Sequence, residues 1–128
     1  MNTCVLVTGG SGFIGTWVLC ELLNYGTRTV VSDTRKMPAR GARVLGDRSR
    51  DVARADASLL SCDELQNVIE QHQVTHLIHL AALLTPACQQ DPWLGCQVNV
   101  MGSTGVTLEL HPLPFDRMSS MDRNGRSA

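Results

Sequence analysis

The stretch Val5-Leu6-Val7-Thr8-Gly9-Gly10-Ser11-Gly12-Phe13-Ile14-Gly15 constrains this chain most, because an apolar run breaks into spaced glycines and then into an apolar-periodic segment. Cys4 to Val7 is too short for a helix and β-branched enough for a buried parallel strand. Strand, tight loop and helix is the expected order. Glycines at 9, 12 and 15 have separable tasks in such a turn. The first lets the chain turn sharply, the second removes a side chain where backbone approaches a ligand, and the third lets the helix pack closely. Amides at the helix start, with a macrodipole charge of about +0.5, attract an anion such as a pyrophosphate. The stretch is a candidate dinucleotide site; the plain alternative is a glycine-rich turn with no ligand.

Length and charge narrow the rest. A chain of 128 residues is one domain at most. Its formal net charge of −1 gives no global attraction to nucleic acid or an anionic membrane. There is no secretory leader pattern and no apolar run near the ~18 residues of a spanning helix, so a cytoplasmic location is expected. Cys4, Cys20, Cys62, Cys88 and Cys96 are scattered and odd in number, which favours reduced thiols over disulfides or zinc. His72, His76 and His79 surround a strand rather than sharing a helical face, so they are expected to be structural or surface residues, and no metal site is expected.

Beyond the glycines, Phe13, Ile14, Trp17, Val18, Cys20, Leu22 and Leu23 predict a helix with a broad apolar stripe packed on a sheet, stopped by Asn24-Tyr25-Gly26. Thr29-Val30-Val31-Ser32 reads as a second buried strand ending at Asp33. Asp33 lies 18 positions past Gly15, close to where dinucleotide folds place the carboxylate that binds the adenosine ribose. A carboxylate there repels a ribose phosphate, so NAD is favoured over NADP, although Arg35 and Lys36 follow and are able to hold that phosphate.

Residues 35 to 54 are rich in arginine with interspersed acids and predict a solvated loop. A nucleic-acid patch is the minor alternative, weakened by the lack of aromatics for stacking. Val52 to Asp56 reads as a short third strand. Ser61-Cys62-Asp63-Glu64 is a capping box, with Leu60 and Leu65 placed as its hydrophobic staple, opening a helix whose stripe is Leu65, Val68 and Ile69. Thr75 to Ala82 predicts a fourth strand buried on both faces. Thr85-Pro86 breaks the pattern, and Asp91-Pro92 starts a helix through Trp93, Val98 and Asn99 that Gly102 and Gly105 weaken. Residues 111–128 are expected to be a poorly ordered tail.

Four features stand in order: Thr8-Gly9-Gly10-Ser11-Gly12-Phe13-Ile14-Gly15, Asp33 after the second strand, Asp56 after the third, and His79-Leu80-Ala81-Ala82 closing the fourth. Together they resemble the NAD-dependent epimerase/dehydratase family, the extended branch of the short-chain dehydrogenases. Asn99-Val100-Met101-Gly102-Ser103 resembles that family's Asn-Val-x-Gly-Thr helix motif, with Ser103 in place of threonine. The resemblance covers residues 1–110 and implies an α/β fold: a partial Rossmann-type parallel sheet of about four strands in order 3-2-1-4, with helices on both faces. It implies that Gly9, Gly12, Phe13, Ile14 and Gly15 surround the pyrophosphate and that Asp33 binds the adenosine ribose. Asp56 and Ala57 are placed near the adenine by the same resemblance, with Leu80, Ala81 and Ala82 beside the cofactor.

The family's catalytic Tyr-x-x-x-Lys pair has no counterpart here. The one tyrosine is Tyr25 and the one lysine is Lys36, at the wrong spacing, and Ser119-Ser120 follows two prolines rather than an apolar run. The resemblance therefore implies a truncated, inactive cofactor-binding portion, with a sugar-like substrate bound only in a full-length form. The alternative is a noncatalytic NAD-binding or protein-interaction module, and an exposed fourth strand would favour self-association.

Overall fold

The computed structural model describes residues 2–110, so the expected tail at 111–128 lies outside the described residues. Four strands, β1 (Cys4–Thr8), β2 (Arg28–Ser32), β3 (Val52–Arg54) and β4 (His76–His79), form one sheet in the order β3-β2-β1-β4. Every pairing is parallel, with Leu6 opposite Val30 on one side and Leu77 on the other. This is the expected α/β half-sheet in the expected order.

Alternation along β1 divides the core into two layers, as a period of two requires. Cys4 and Leu6 point to the face covered by α3 (Cys62–His72) and α6 (Ser103–Leu110), where they meet Leu65, Ile69 and Val106. Val5 and Val7 point to the opposite face, where α1 (Phe13–Asn24) and α2 (Ala39–Leu45) contribute Leu19, Cys20 and Leu45. Central placement leaves β1 buried along its whole length.

Several local expectations are corrected. The arginine-rich stretch is not all loop: α2 occupies Ala39–Leu45 and a 3-10 segment follows at Gly46–Asp51. Its stability is tertiary, since Leu45 is buried and Gly41 packs so tightly that an added Cβ would lie 2.9 Å from Met37 Cγ and Thr16 Oγ1. The stripe on α1 is also redistributed. Leu19 and Cys20 are its buried apolar residues, whereas Phe13 (64% exposed), Ile14 and Trp17 face outward.

The fourth strand ends earlier than its apolar run, because β1 gives way to the glycine turn after Thr8; one further bond joins Leu80 N–H to the Thr8 carbonyl. The third strand likewise ends at Arg54, with Ala55 N–H on the Val31 carbonyl. Thr85-Pro86 begins a helix instead of breaking one: α4 (Thr85–Gln90) accepts proline in its first turn, where its missing N–H costs nothing. Asp91 then caps α5 (Pro92–Cys96) by accepting Leu94 N–H at 2.9 Å. A π-helical turn over Gln97–Gly102 leads into α6.

The capping box at α3 is half realised. Ser61 Oγ accepts Glu64 N–H, but the Glu64 carboxylate reaches past the cap to accept Ser58 N–H at 2.8 Å. Leu60 is 49% exposed, and Leu59 packs on the core in its place.

Candidate functional site

The loops that follow the four parallel strands all leave from the same edge of the sheet, which is where open α/β sheets bind ligands. The β1–α1 turn holds Gly9 to Gly15, the segment after β2 holds Asp33, that after β3 holds Asp56 and Ala57, and that after β4 holds Leu80, Ala81 and Ala82. Gly9 takes a φ of +70°, and its N–H bonds to the Ser32 carbonyl at 2.8 Å. A Cβ on Gly9 would lie 2.7 Å from the amide nitrogen of Ala81, so the first and fourth loops are in contact. Ala57 is buried, and its carbonyl accepts Ser32 Oγ at 3.4 Å.

The third glycine allows the close packing of the helix, with the glycine turn rather than a strand as the surface it meets. A Cβ on Gly15 would lie 2.5 Å from Gly10 Cα and 2.6 Å from the Gly9 carbonyl oxygen, so α1 packs closely on the turn itself. Gly10 is equally confined, since its Cβ would meet Val31 Cγ2 at 2.4 Å. Gly12 is the least confined of them: its Cβ would meet only the Gly9 carbonyl oxygen, in a tight contact of 3.3 Å. It precedes a helix that no side chain caps, so the amides of the first turn remain for water or an anion.

Asp33 bridges two loops. Its Oδ2 accepts Ser11 N–H at 3.1 Å and its Oδ1 accepts Arg35 N–H at 2.9 Å. A carboxylate has about four lone-pair positions, so two remain for the hydroxyls of a ligand. A cavity of about 400 Å³ opens beside it, with Gly12, Phe13, Trp17, Arg35, Lys36 and Arg40 among its lining residues. The Arg40 guanidinium lies over the Phe13 ring, 4.9 Å from its centroid. Asp56 and Leu80 to Ala82 are outside that lining.

Sequence reasoning gave Arg54 no part in the site. Its Nη2 donates to the carbonyl oxygens of Asp33 and Arg35, each at 2.8 Å, and its Nε lies 3.0 Å from Asp56 Oδ1. Its Nη1 is 3.4 Å from Ser11 Oγ. The available signal was a basic residue at the end of β3, two positions before an acid.

His79 is the second residue with an unforeseen role. Ser103 Oγ donates to the Asn99 carbonyl at 2.9 Å, which spends its hydrogen. His79 Nε2, 3.0 Å from Ser103 Oγ, is therefore the donor there, and Nδ1 lies 2.6 Å from Thr8 Oγ1. Burial holds the His79 pKa below its ordinary 6.5 and so favours the neutral imidazole, in which Nδ1 accepts from Thr8 Oγ1. Asn99 ties the same region down, accepting Leu83 N–H at 2.7 Å and donating to the Leu83 carbonyl at 3.0 Å. No helix among the described residues is long and apolar enough to cross a membrane.

Comparison with known proteins places this geometry. A model of the NAD dependent epimerase/dehydratase family matches residues 5–119. UDP-glucose 4-epimerase of Bacillus subtilis (strain 168) is 35% identical over 81 residues, covering 62% of this chain and 24% of that protein. UDP-glucose 4-epimerase 2 of Oryza sativa subsp. japonica is 32% identical over 108 residues, covering 80% and 26%. The structure of UDP-glucose 4-epimerase from Bifidobacterium longum in complex with NAD+ and UDP superposes with a TM-score of 0.74 at 27% identity, over 85% of this chain and 33% of that one. The Thermus thermophilus UDP-glucose 4-epimerase complex with NAD gives 0.71 at 25% identity, over 84% and 33%. The chain thus spans about a quarter of the length of these curated relatives and a third of the solved chains. With the family match running through the glycine turn, Asp33, Asp56 and the fourth-strand motif, the chain belongs to the NAD dependent epimerase/dehydratase family.

Proposed function

We propose that residues 1–110 form the dinucleotide-binding portion of an epimerase/dehydratase enzyme acting on a sugar-like, nucleotide-linked substrate, and that the cofactor is NAD rather than NADP. The observation that carries this reading is the joint placement of Gly12 and Asp33 at one cavity, one open to an approaching phosphate and the other with two free acceptor positions for a ribose diol. Gly9, Gly12, Phe13, Ile14 and Gly15 surround the pyrophosphate in this reading. Asp56 and Ala57 lie toward the adenine, and Leu80, Ala81 and Ala82 flank the cofactor.

The preference for NAD follows from how the charges are held. Asp33 is fixed by two backbone amides, and its carboxylate opposes a 2′-phosphate. Arg35, Lys36 and Arg40 pull the other way, but all three are exposed and screened by solvent. The scattered cysteines fit a reducing, cytoplasmic compartment.

Bound NAD would supply hydride transfer, and this chain's residues would bind and orient it. The proton transfer that accompanies such chemistry needs a base of tuned pKa. Tyr25 ends α1 at 82% exposure, away from the cavity that Lys36 lines, so the 128 residues alone are expected to bind cofactor without epimerase turnover. Calorimetric titration with NAD and NADP, alongside a UDP-glucose turnover assay, tests this. Tighter binding of NAD without turnover supports the reading; no binding of either dinucleotide refutes it.

A second reading, a noncatalytic NAD-binding or protein-interaction module, is favoured by the outer edge of β4, which carries no further strand among the described residues. Such an edge is a pairing site for another strand, including that of a second copy. Concentration-dependent dimerisation in sedimentation would support it.

A further inference from the structure

We infer that Arg54 is a positioning residue for cofactor recognition, acting through Asp33, whose loop it clamps against the glycine turn. The inference rests on the dinucleotide reading above. One planar guanidinium reaches four acceptors in three separate segments: the Asp33 and Arg35 carbonyls after β2, Asp56 after β3, and Ser11 in the β1–α1 turn. The Asp33 carboxylate is held by the Ser11 and Arg35 amides, while Arg54 fixes the backbone that carries it through the Asp33 and Arg35 carbonyls. The side chain is only one-third exposed, whereas its partner Asp56 is 76% exposed, so Arg54 is a fixed strut and Asp56 its outer tether.

Geometry explains why arginine stands here. The guanidinium carries five donors in a rigid fork, and Nη2 alone serves two carbonyls. Lysine, with three donors on one point, is unable to span the same four acceptors. Arg54 touches the protein's recognition loop rather than the ribose, so its effect appears as lost discrimination of the ribose hydroxyls.

The test uses the full chain and two probes, ADP-ribose and its analogue lacking the adenosine 2′-hydroxyl. The wild type is expected to prefer the ribose form by about tenfold, the order of a hydrogen bond to a charged group. Arg54→Gln is expected to reduce that ratio to about twofold, because the loop backbone that carries Asp33 and its Arg35 amide partner is no longer clamped. Arg54→Lys, which keeps the charge and the aliphatic stem, is expected to lose discrimination in the same way, and it serves if the glutamine variant unfolds. A purely structural role would weaken both probes equally and leave their ratio unchanged; that result, or full rescue by lysine, overturns the inference. A wild type that binds neither probe overturns the dinucleotide reading as well.

Discussion

Gly9 and Ala81 are packed so closely that the first strand's turn and the fourth strand's exit share one surface, with 2.7 Å between a notional Gly9 Cβ and the Ala81 amide nitrogen. Backbone atoms on both sides leave neither partner free to yield. The contact fixes the relative position of two loops that border the proposed cofactor path.

Gly9→Ala should therefore destabilise the chain by about 2 to 3 kcal/mol, combining a positive φ with a backbone clash. Urea denaturation reads this as a lower midpoint at unchanged slope. An unaltered midpoint would mean that the Ala81 segment moves aside.

Capping of α3 gives a smaller and separable effect. Ser61→Ala removes the acceptor for Glu64 N–H and should cost about 1 kcal/mol. Glu64→Ala should also destabilise, since it strips Ser58 N–H of its 2.8 Å partner. If neither substitution shifts the denaturation midpoint, water replaces the cap.

His79 should make stability depend on pH. Its folded pKa is lowered by burial, so between that value and the ordinary 6.5 the unfolded chain binds more protons. Stability from this residue is complete above about pH 6.5 and falls as pH drops toward the folded pKa, below which the loss levels off. Urea midpoints from about pH 8 to about pH 5 should decline less steeply in His79→Gln than in wild type. Parallel profiles would contradict the assignment of a neutral imidazole between Thr8 and Ser103.

Much of this architecture was legible because its signals are local. A short β-branched run followed by spaced glycines leaves few alternatives to strand, turn and helix, and Asp33, Asp56 and His79 mark the ends of the next three strands. The parts that were misread depend on distant contacts. The helix at Ala39–Leu45 sits in a charge-rich stretch and owes its place to Gly41 fitting against Thr16 and Met37. Phe13, Ile14 and Trp17 satisfy a helical stripe, yet their position at the start of α1 turns them outward, with Phe13 and Trp17 lining the cavity. Leu80 to Ala82 is apolar enough for a strand, but the pairing with β1 ends at Thr8, whose carbonyl takes the Leu80 N–H. Arg54 was hidden among other arginines, since nothing in its neighbours announces that its guanidinium reaches three loops.

The most direct measurement is calorimetric titration of NAD into the wild-type chain and into Gly12→Val. Gly12 has φ −74° and ψ 179°, which suit any residue, and a Cβ there would meet only the Gly9 carbonyl oxygen, at 3.3 Å, a contact relieved by a shift of a few tenths of an ångström, so the variant should stay folded by circular dichroism. NAD binding should be lost, because the added side chain fills the space through which a pyrophosphate approaches the α1 amides. Equal affinity in a folded Gly12→Val would contradict the account and leave the glycine stretch as a turn alone.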